Sequence, residues 1–437
     1  MLIIPYYPII KRMENNPQKN ISKNFLKLFS TESIGRVIGI VTTPLISRLY
    51  SPEDFGILSV FISFISIIGP FICFSYPNAI PFVRNRRLCG GLIGGSIIFL
   101  FASISIVSIV LLLFREIIFS LFSITKLADV WFLIPAGLLF YGFNEIFSQY
   151  CVRKRAFGLM SKVSLFQKSS GVIVKILCGF LCIKPLGLLF GDLMNSFGGF
   201  SLYFRTFGKD FVDVIKTTSL KKIKYSLNRY SNYPIYRLPS KVLLQVSGNI
   251  PIFFFAWYFS TTSLGHISMA RTLLSLPVVL IGFALGKSFV GEIANAGKDN
   301  GKLIYNLSMN IVRKLFLFGI IVSICVFVFA PIAFKYVLGS QWELSGLYAR
   351  LFIIPFVLQI IYSPLSEGIF NIFNKQSYIL YIEIFRMFII TSVLYYIFYM
   401  QLPIIQALLL YNIALFIQYS IALYLIYKLL CEFRSIK

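Results

Sequence analysis

Apolar runs of about twenty residues recur along the whole of this 437-residue chain, and each suffices to cross a hydrocarbon core of ~30 Å. Read as helices, they fall near 24–48, 54–76, 88–114, 129–150, 158–183, 186–206, 231–258, 263–291, 311–337, 343–372, 377–400 and 404–429, roughly twelve spans. With 57% hydrophobic and only 13% charged residues, the composition is far from that of a soluble domain, which carries about a quarter charged residues. The chain reads as an all-α polytopic membrane protein. Helices this apolar exclude nucleic acid as the partner of a net charge of +25; topology and anionic lipids or substrates are the ordinary uses of such charge.

The basic residues alternate from break to break. One side carries Lys19, Lys23 and Lys27, then Arg84, Arg86 and Arg87, then Arg153, Lys154 and Arg155. It continues with the connector "KTTSLKKIKYSLNRY", then Lys298 and Lys302, Lys375, Arg434 and Lys437. The other side shows "YSPED", "FSTTSL" and "GSQWE". The positive-inside rule therefore predicts both termini in the cytoplasm. No loop is large enough to fold as a catalytic domain. The connector divides the chain into a tail (1–23), a first lobe (24–206), a basic cytoplasmic linker (207–229) and a second lobe with a short tail (230–437). Six spans per lobe leave the halves parallel and related by a pseudo-twofold axis along the membrane normal. "SRLYSPEDFGILSVFISF" also resembles "WYFSTTSLGHISMARTLL" at corresponding positions of the halves. "MLIIPYYPII" lacks the basic n-region and cleavage site of a signal peptide; translation is expected to begin at Met13, leaving out residues 1–12.

Several charges lie inside the spans, where each costs roughly 2.5–3.5 kcal/mol at the bilayer centre. They are Arg36, Lys168 and Lys175 seven residues apart, Arg237 and Lys241 four apart, Arg271 and Lys287. Arg237, Lys241 and Lys287 either face a cavity or snorkel to the interface. Arg386 has Glu383 one turn away and is expected to pair with it. Arg350 is expected to find Glu367 or Glu145. For Arg36, Lys168, Lys175 and Arg271 few buried acids remain: Glu32, Glu145, Asp192 and Glu367. The excess of basic groups calls for an anion, and the planar guanidinium fork binds phosphate oxygens in pairs. Glu145 and Asp192 either carry a coupling proton or pair with a buried lysine. Seven scattered cysteines and the single His266 support neither a metal site nor a disulfide framework. "GFALGKS" is one residue short of a phosphate-binding loop and lies within a helix.

Two stretches resemble a known family. "FSTESIGRVIGIVTTPLISRLYSPEDFGILSVFISF" resembles the opening of O-antigen-type (Wzx-like) polysaccharide flippases of the multidrug/oligosaccharidyl-lipid/polysaccharide (MOP) superfamily, and "MARTLLSLPVVLIGFALGKSFVGEI" resembles the eighth helix of the related lipid II flippases. Arg36, Arg271, Pro277, Gly282 and Gly286 stand in matching places. Thr42, where the lipid II relative has a second arginine, and Glu292, in place of a proline-rich end, depart from that pattern.

The resemblance implies a two-lobed, twelve-helix transporter of MATE-like fold in a bacterial inner membrane, without cofactor, that turns an undecaprenyl-diphosphate-linked oligosaccharide to the outer leaflet. Arg36 and Arg271 would contact the diphosphate, one from each lobe, and Lys168, Lys175, Arg237 and Lys241 would make the cavity cationic. An O-antigen polymerase and a chain-length regulator are the protein partners this implies. The rival is a multidrug or cation antiporter of the same superfamily, which needs acidic or aromatic cavity groups.

Overall fold

The computed structural model describes residues 41–434 except 84, 123, 217, 297–300, 374 and 376, together with 35, 38 and 39. Among the described residues the chain is helical, with no strand. Helix α1 is described over 41–49. It is followed by α2 (Pro52–Ile72), α3 (Arg86–Leu121), α4 (Leu133–Lys154), α5 (Phe157–Phe180) and α6 (Leu186–Lys216). The second half repeats the order with α7 (Leu238–Tyr258), α8 (Thr261–Ala296), α9 (Gly301–Ala333), α10 (Glu343–Ile372), α11 (Ser377–Tyr399) and α12 (Ile404–Arg434). Of the described helices, α2, α3, α5, α9, α10, α11 and α12 are long and apolar enough to span a membrane by length and composition. Helix α1 is described over too few residues to qualify, and α4, α6, α7 and α8 carry more polar residues, as expected of helices that face protein or a cavity rather than lipid.

The start of α2 explains how the halves meet. Ser51 accepts a hydrogen bond from the Asp54 amide, and the Asp54 carboxylate accepts one from the Ser51 amide, closing a capping box with Pro52 at the first helical position. At the start of α8, Ser260 caps the Ser263 amide in the same way at 3.0 Å. Five residues past each capping serine stands a glycine, Gly56 and Gly265. A methyl group at Gly56 would run into the Thr261 carbonyl, and one at Gly265 into the Pro52 carbonyl. Pro52 and Thr261 each follow their capping serine directly, so the contact is reciprocal. "SPEDFG" and "STTSLG" are therefore symmetry mates packed backbone to backbone across a pseudo-twofold axis.

More hydrogen bonds close this end. Trp342 Nε1 donates to the Ser47 carbonyl at 2.8 Å, and Gln341 Nε2 to the carbonyls of Ser47 and Tyr50 at 2.7 and 3.1 Å. Ser47 Oγ donates to the Leu338 carbonyl at 3.0 Å. A single apolar core runs through the first half and continues through Leu264, Ile267 and Ala270 into Leu394, Leu408 and Tyr411 of the second. At the opposite end, where the basic breaks lie, the second half keeps a separate core around Phe289, Ile304, Phe356, Phe370 and Ile426. The halves are joined at this sealed end.

The basic connector is more ordered than its polarity suggests. Helix α6 continues to Lys216, ten residues past its expected end, because Phe211 and Val214 are buried. A linker helix, Leu220–Arg229, follows. It lies on the glycines of "CGGLIGG" in α3, where a methyl at Gly91 would strike the Ser226 hydroxyl and one at Gly95 the Leu227 side chain.

Candidate functional site

Between the halves, α2, α7 and α8, with Phe352 and Gln359 of α10 and Tyr411 of α12, line a chamber of about 570 Å³. Polar residues recur at helical spacing on each wall: Ser59, Ser63 and Ser66 on α2, Gln245 and Asn249 on α7, and Ser268, Thr272 and Ser275 on α8. Ser59 and Ser63 donate to the carbonyls of Phe55 and Ser59, each at 2.8 Å, which satisfies their protons within the helix and leaves oxygen lone pairs to accept. Arg271 is the one charged side chain among the described lining residues, and no acid joins it. Among the described residues no carboxylate closes an ion pair with Arg271.

A second chamber of about 330 Å³ is lined by α1, α2, α5 and α6 of the first half and by α8 of the second. It brings Lys168, Lys175 and Asp192 together with Asn195, Thr42 and Thr43. The stem of Lys168 crosses Gly35 and that of Lys175 crosses Gly191, so each lysine lies where the opposing helix has no side chain. Lys175 stands in the field of Asp192 and Lys168 without closing an ion pair to the carboxylate. Thr272 lines both chambers, so the turn of α8 that carries Arg271 separates them.

The remaining charges are placed differently. Arg36 lies outside the described residues, as do the side chains of Lys287 and Glu367. A π-turn over Tyr233–Arg237 leads into α7, whose first turn carries Lys241. Arg237 is exposed and lines neither chamber. Lys241 donates to Glu145 at 2.8 Å and to the Asn78 carboxamide oxygen at 3.4 Å, and Asn78 donates to Glu145 at 3.3 Å. This bridge joins α7 to α4 between the two halves at the basic end.

Arg386 faces Glu383 at 3.6 Å, and Ser247 donates to the same carboxylate at 3.1 Å. Of the two acids expected for Arg350, Glu145 is held by Lys241 and the Glu367 side chain lies outside the described residues. Arg350 lies over the Phe327 ring, 5.4 Å from its centre, where a cation is attracted by the π face. Sequence reasoning missed the serine and amide stripes. Their signal was there, as polar residues three, four and seven apart inside apolar runs.

The bridge makes a separate prediction. Glu145→Gln and Lys241→Met should each lower the melting temperature, and the double variant should recover part of the loss. A double-mutant cycle on purified protein should return a coupling of roughly 0.5–3 kcal/mol, toward the lower figure because the Lys241 side chain is 31% exposed. Additive effects would mean that the contact contributes nothing.

A family model described as polysaccharide biosynthesis protein matches residues 45–346, more than half of the chain. The chain belongs to this family. The match runs from the end of α1 to the start of α10 and so includes most of the residues that line each chamber. No curated protein sequence matches significantly. Solved structures place this family member within the MOP fold. The lipid II flippase MurJ in its inward closed conformation superposes with a TM-score of 0.69 at 16% identity, covering 93% of this chain and 90% of MurJ. An inward-facing multidrug resistance MATE transporter gives 0.61 at 14%, covering 93% and 95%. A MOP transporter from Pyrococcus furiosus, described as having a binding pocket of reverse polarity, gives 0.54 at 14%, covering 94% and 96%. At these identities the likeness concerns the fold.

Proposed function

We propose that this family member is a flippase that moves an undecaprenyl-diphosphate-linked oligosaccharide, an O-antigen-type repeat unit, from the cytoplasmic to the periplasmic leaflet of a bacterial inner membrane. The observation that carries this reading is the chamber wall: neutral hydrogen-bonding groups on three helices around a single arginine, with no described acid. A diphosphate sugar cannot cross hydrocarbon because its ionic oxygens would lose their hydration. Arg271 replaces part of that hydration with charge-assisted bonds, and the serine, glutamine and asparagine stripes accept from sugar hydroxyls. Arg36, from the first half, is the proposed second diphosphate contact. Lys168 and Lys175 keep the adjoining chamber cationic.

In this reading the basic end faces the cytoplasm, both termini lie there, and residues 24–206 and 230–437 rock about the linker between them. Closure at the sealed end suits a molecule waiting to load from the cytoplasmic leaflet. Asp192, which closes no ion pair among the described residues, is the carboxylate proposed to carry a coupling proton, while Glu145 is held by Lys241. A cation antiporter would require an acid in the central chamber, and the described wall offers none.

Reconstituted into vesicles with a fluorescent undecaprenyl diphosphate oligosaccharide, the protein should expose the label to a membrane-impermeant quencher on both faces and leave the lipid chemically intact. Label that stays in its starting leaflet, alongside uptake of an organic cation, would replace this reading with the antiporter.

A further inference from the structure

A third cavity, of about 660 Å³, opens on the flank of the molecule between the end of α3 and the facing halves of α7 and α11. Its walls are ring and aliphatic surfaces: Phe122, Ile250, Phe253, Trp257, Tyr395 and Phe398 are among them. Thr391 also lines it, but its hydroxyl is spent on the Met387 carbonyl at 2.8 Å. The volume is in the range of ligand pockets.

Helix α7 separates this cavity from the central chamber. Gln245, Gly248, Asn249 and Ile252 face the chamber, while Ile250, Phe253, Phe254 and Trp257 face the flank, as a 3.6-residue period requires. One helix thickness, about 10 Å, stands between a polar space and an apolar one. Beside α7, the seam with the first half is closed by rings. Phe253 meets Phe64 of α2 at 4.9 Å and Phe122 at 4.8 Å between centres, and Phe64 meets Phe119 at 5.9 Å. On α2, Phe64 sits between Ser63 and Ser66, which line the chamber.

We propose that the flank cavity holds the polyprenyl chain of the lipid whose diphosphate lies beside Arg271, and that the ring-closed seam between Phe64 and Phe253 is the slot through which this lipid enters and leaves sideways. The proposal rests on the flippase reading. An amphiphile loaded into the chamber needs two solvents at once, and here they adjoin across a single helix. The flank cavity also lies nearer the sealed end: on α7 it takes residues 250–257, whereas the chamber reaches back to 244. A lipid from the leaflet at the basic end has its tail pointing toward the sealed end, so head and tail arrive in register with the two cavities. A seam of ring-on-ring contacts has no directional bonds to break and re-forms behind the passing chain.

The test uses the full-length protein in vesicles and two photoreactive probes: undecaprenyl diphosphate bearing a diazirine at the far end of its chain, and phosphatidylglycerol bearing one on an acyl chain. The polyprenyl probe should label peptides containing 250–257 and 391–398. Excess unlabelled undecaprenyl diphosphate should remove most of that label, and so should Arg271→Ala. Equal labelling of these peptides by the phosphatidylglycerol probe, undiminished by the competitor, would make the cavity ordinary lipid-covered surface and overturn the proposal. Arg271-dependent labelling confined to other helices would overturn the tail site while leaving the flippase standing. No Arg271-dependent labelling anywhere would remove both.

Discussion

Gly265→Ala will hold the sealed end of the molecule open and abolish transport. The added methyl points at the carbonyl of Pro52, in a stretch fixed by the Ser51–Asp54 capping box. A backbone atom so anchored cannot rotate aside as a side-chain tip would, so the whole of α2 must withdraw from α8. Gly56→Ala meets the Thr261 carbonyl from the other side and should act identically. Because both wedges act on one contact, the double variant should be little worse than either single one. The readout is accessibility: in a Ser268→Cys background, a membrane-impermeant maleimide added from the sealed side should modify that cysteine several-fold faster when either wedge is present, scored on its own peptide by mass spectrometry. Gly158→Ala, where the added methyl meets open space, is the control and should change neither labelling nor transport. Unchanged labelling and transport in Gly265→Ala would mean that α2 and α8 do not form the seal that alternates.

That contact was half legible in the sequence. The likeness of "SPEDFG" to "STTSLG" places the glycines at equivalent positions, because capping and close packing are local requirements that leave local marks. That the two glycines touch each other's partner turn depends on how the lobes dock, which no short stretch encodes. The same division holds in the site. Arg271 stood out because one guanidinium in an apolar run is costly wherever it points. Ser59, Ser63 and Ser66 did not, since a serine bonded to its own helix costs little in lipid and raises no alarm. Lys241 and Glu145 are 96 residues apart, so their pairing follows from the tertiary fold alone. Arg237 is exposed while Lys241 reaches Glu145, a difference set by what packs against each position and not by their spacing.

Replacing Arg271 should separate binding from stability. A charge-assisted hydrogen bond contributes roughly 1.5–3 kcal/mol, so Arg271→Ala should weaken binding of undecaprenyl diphosphate by about tenfold to a hundredfold and stop net translocation. Arg271→Lys keeps the charge but loses the two-pronged geometry, and should fall between the alanine variant and the wild type. The melting temperature of the ligand-free protein should go the other way. Among the described residues no carboxylate is paired with Arg271, and Arg271→Met removes a charge held partly away from water. The methionine variant should therefore melt no lower than the wild type, yet gain no thermal protection from added undecaprenyl diphosphate, whereas the wild type gains protection in proportion to the logarithm of ligand concentration. A lower melting point for Arg271→Met with ligand protection retained would make this arginine a structural strut, and the diphosphate would then have to be held by groups outside the chamber wall.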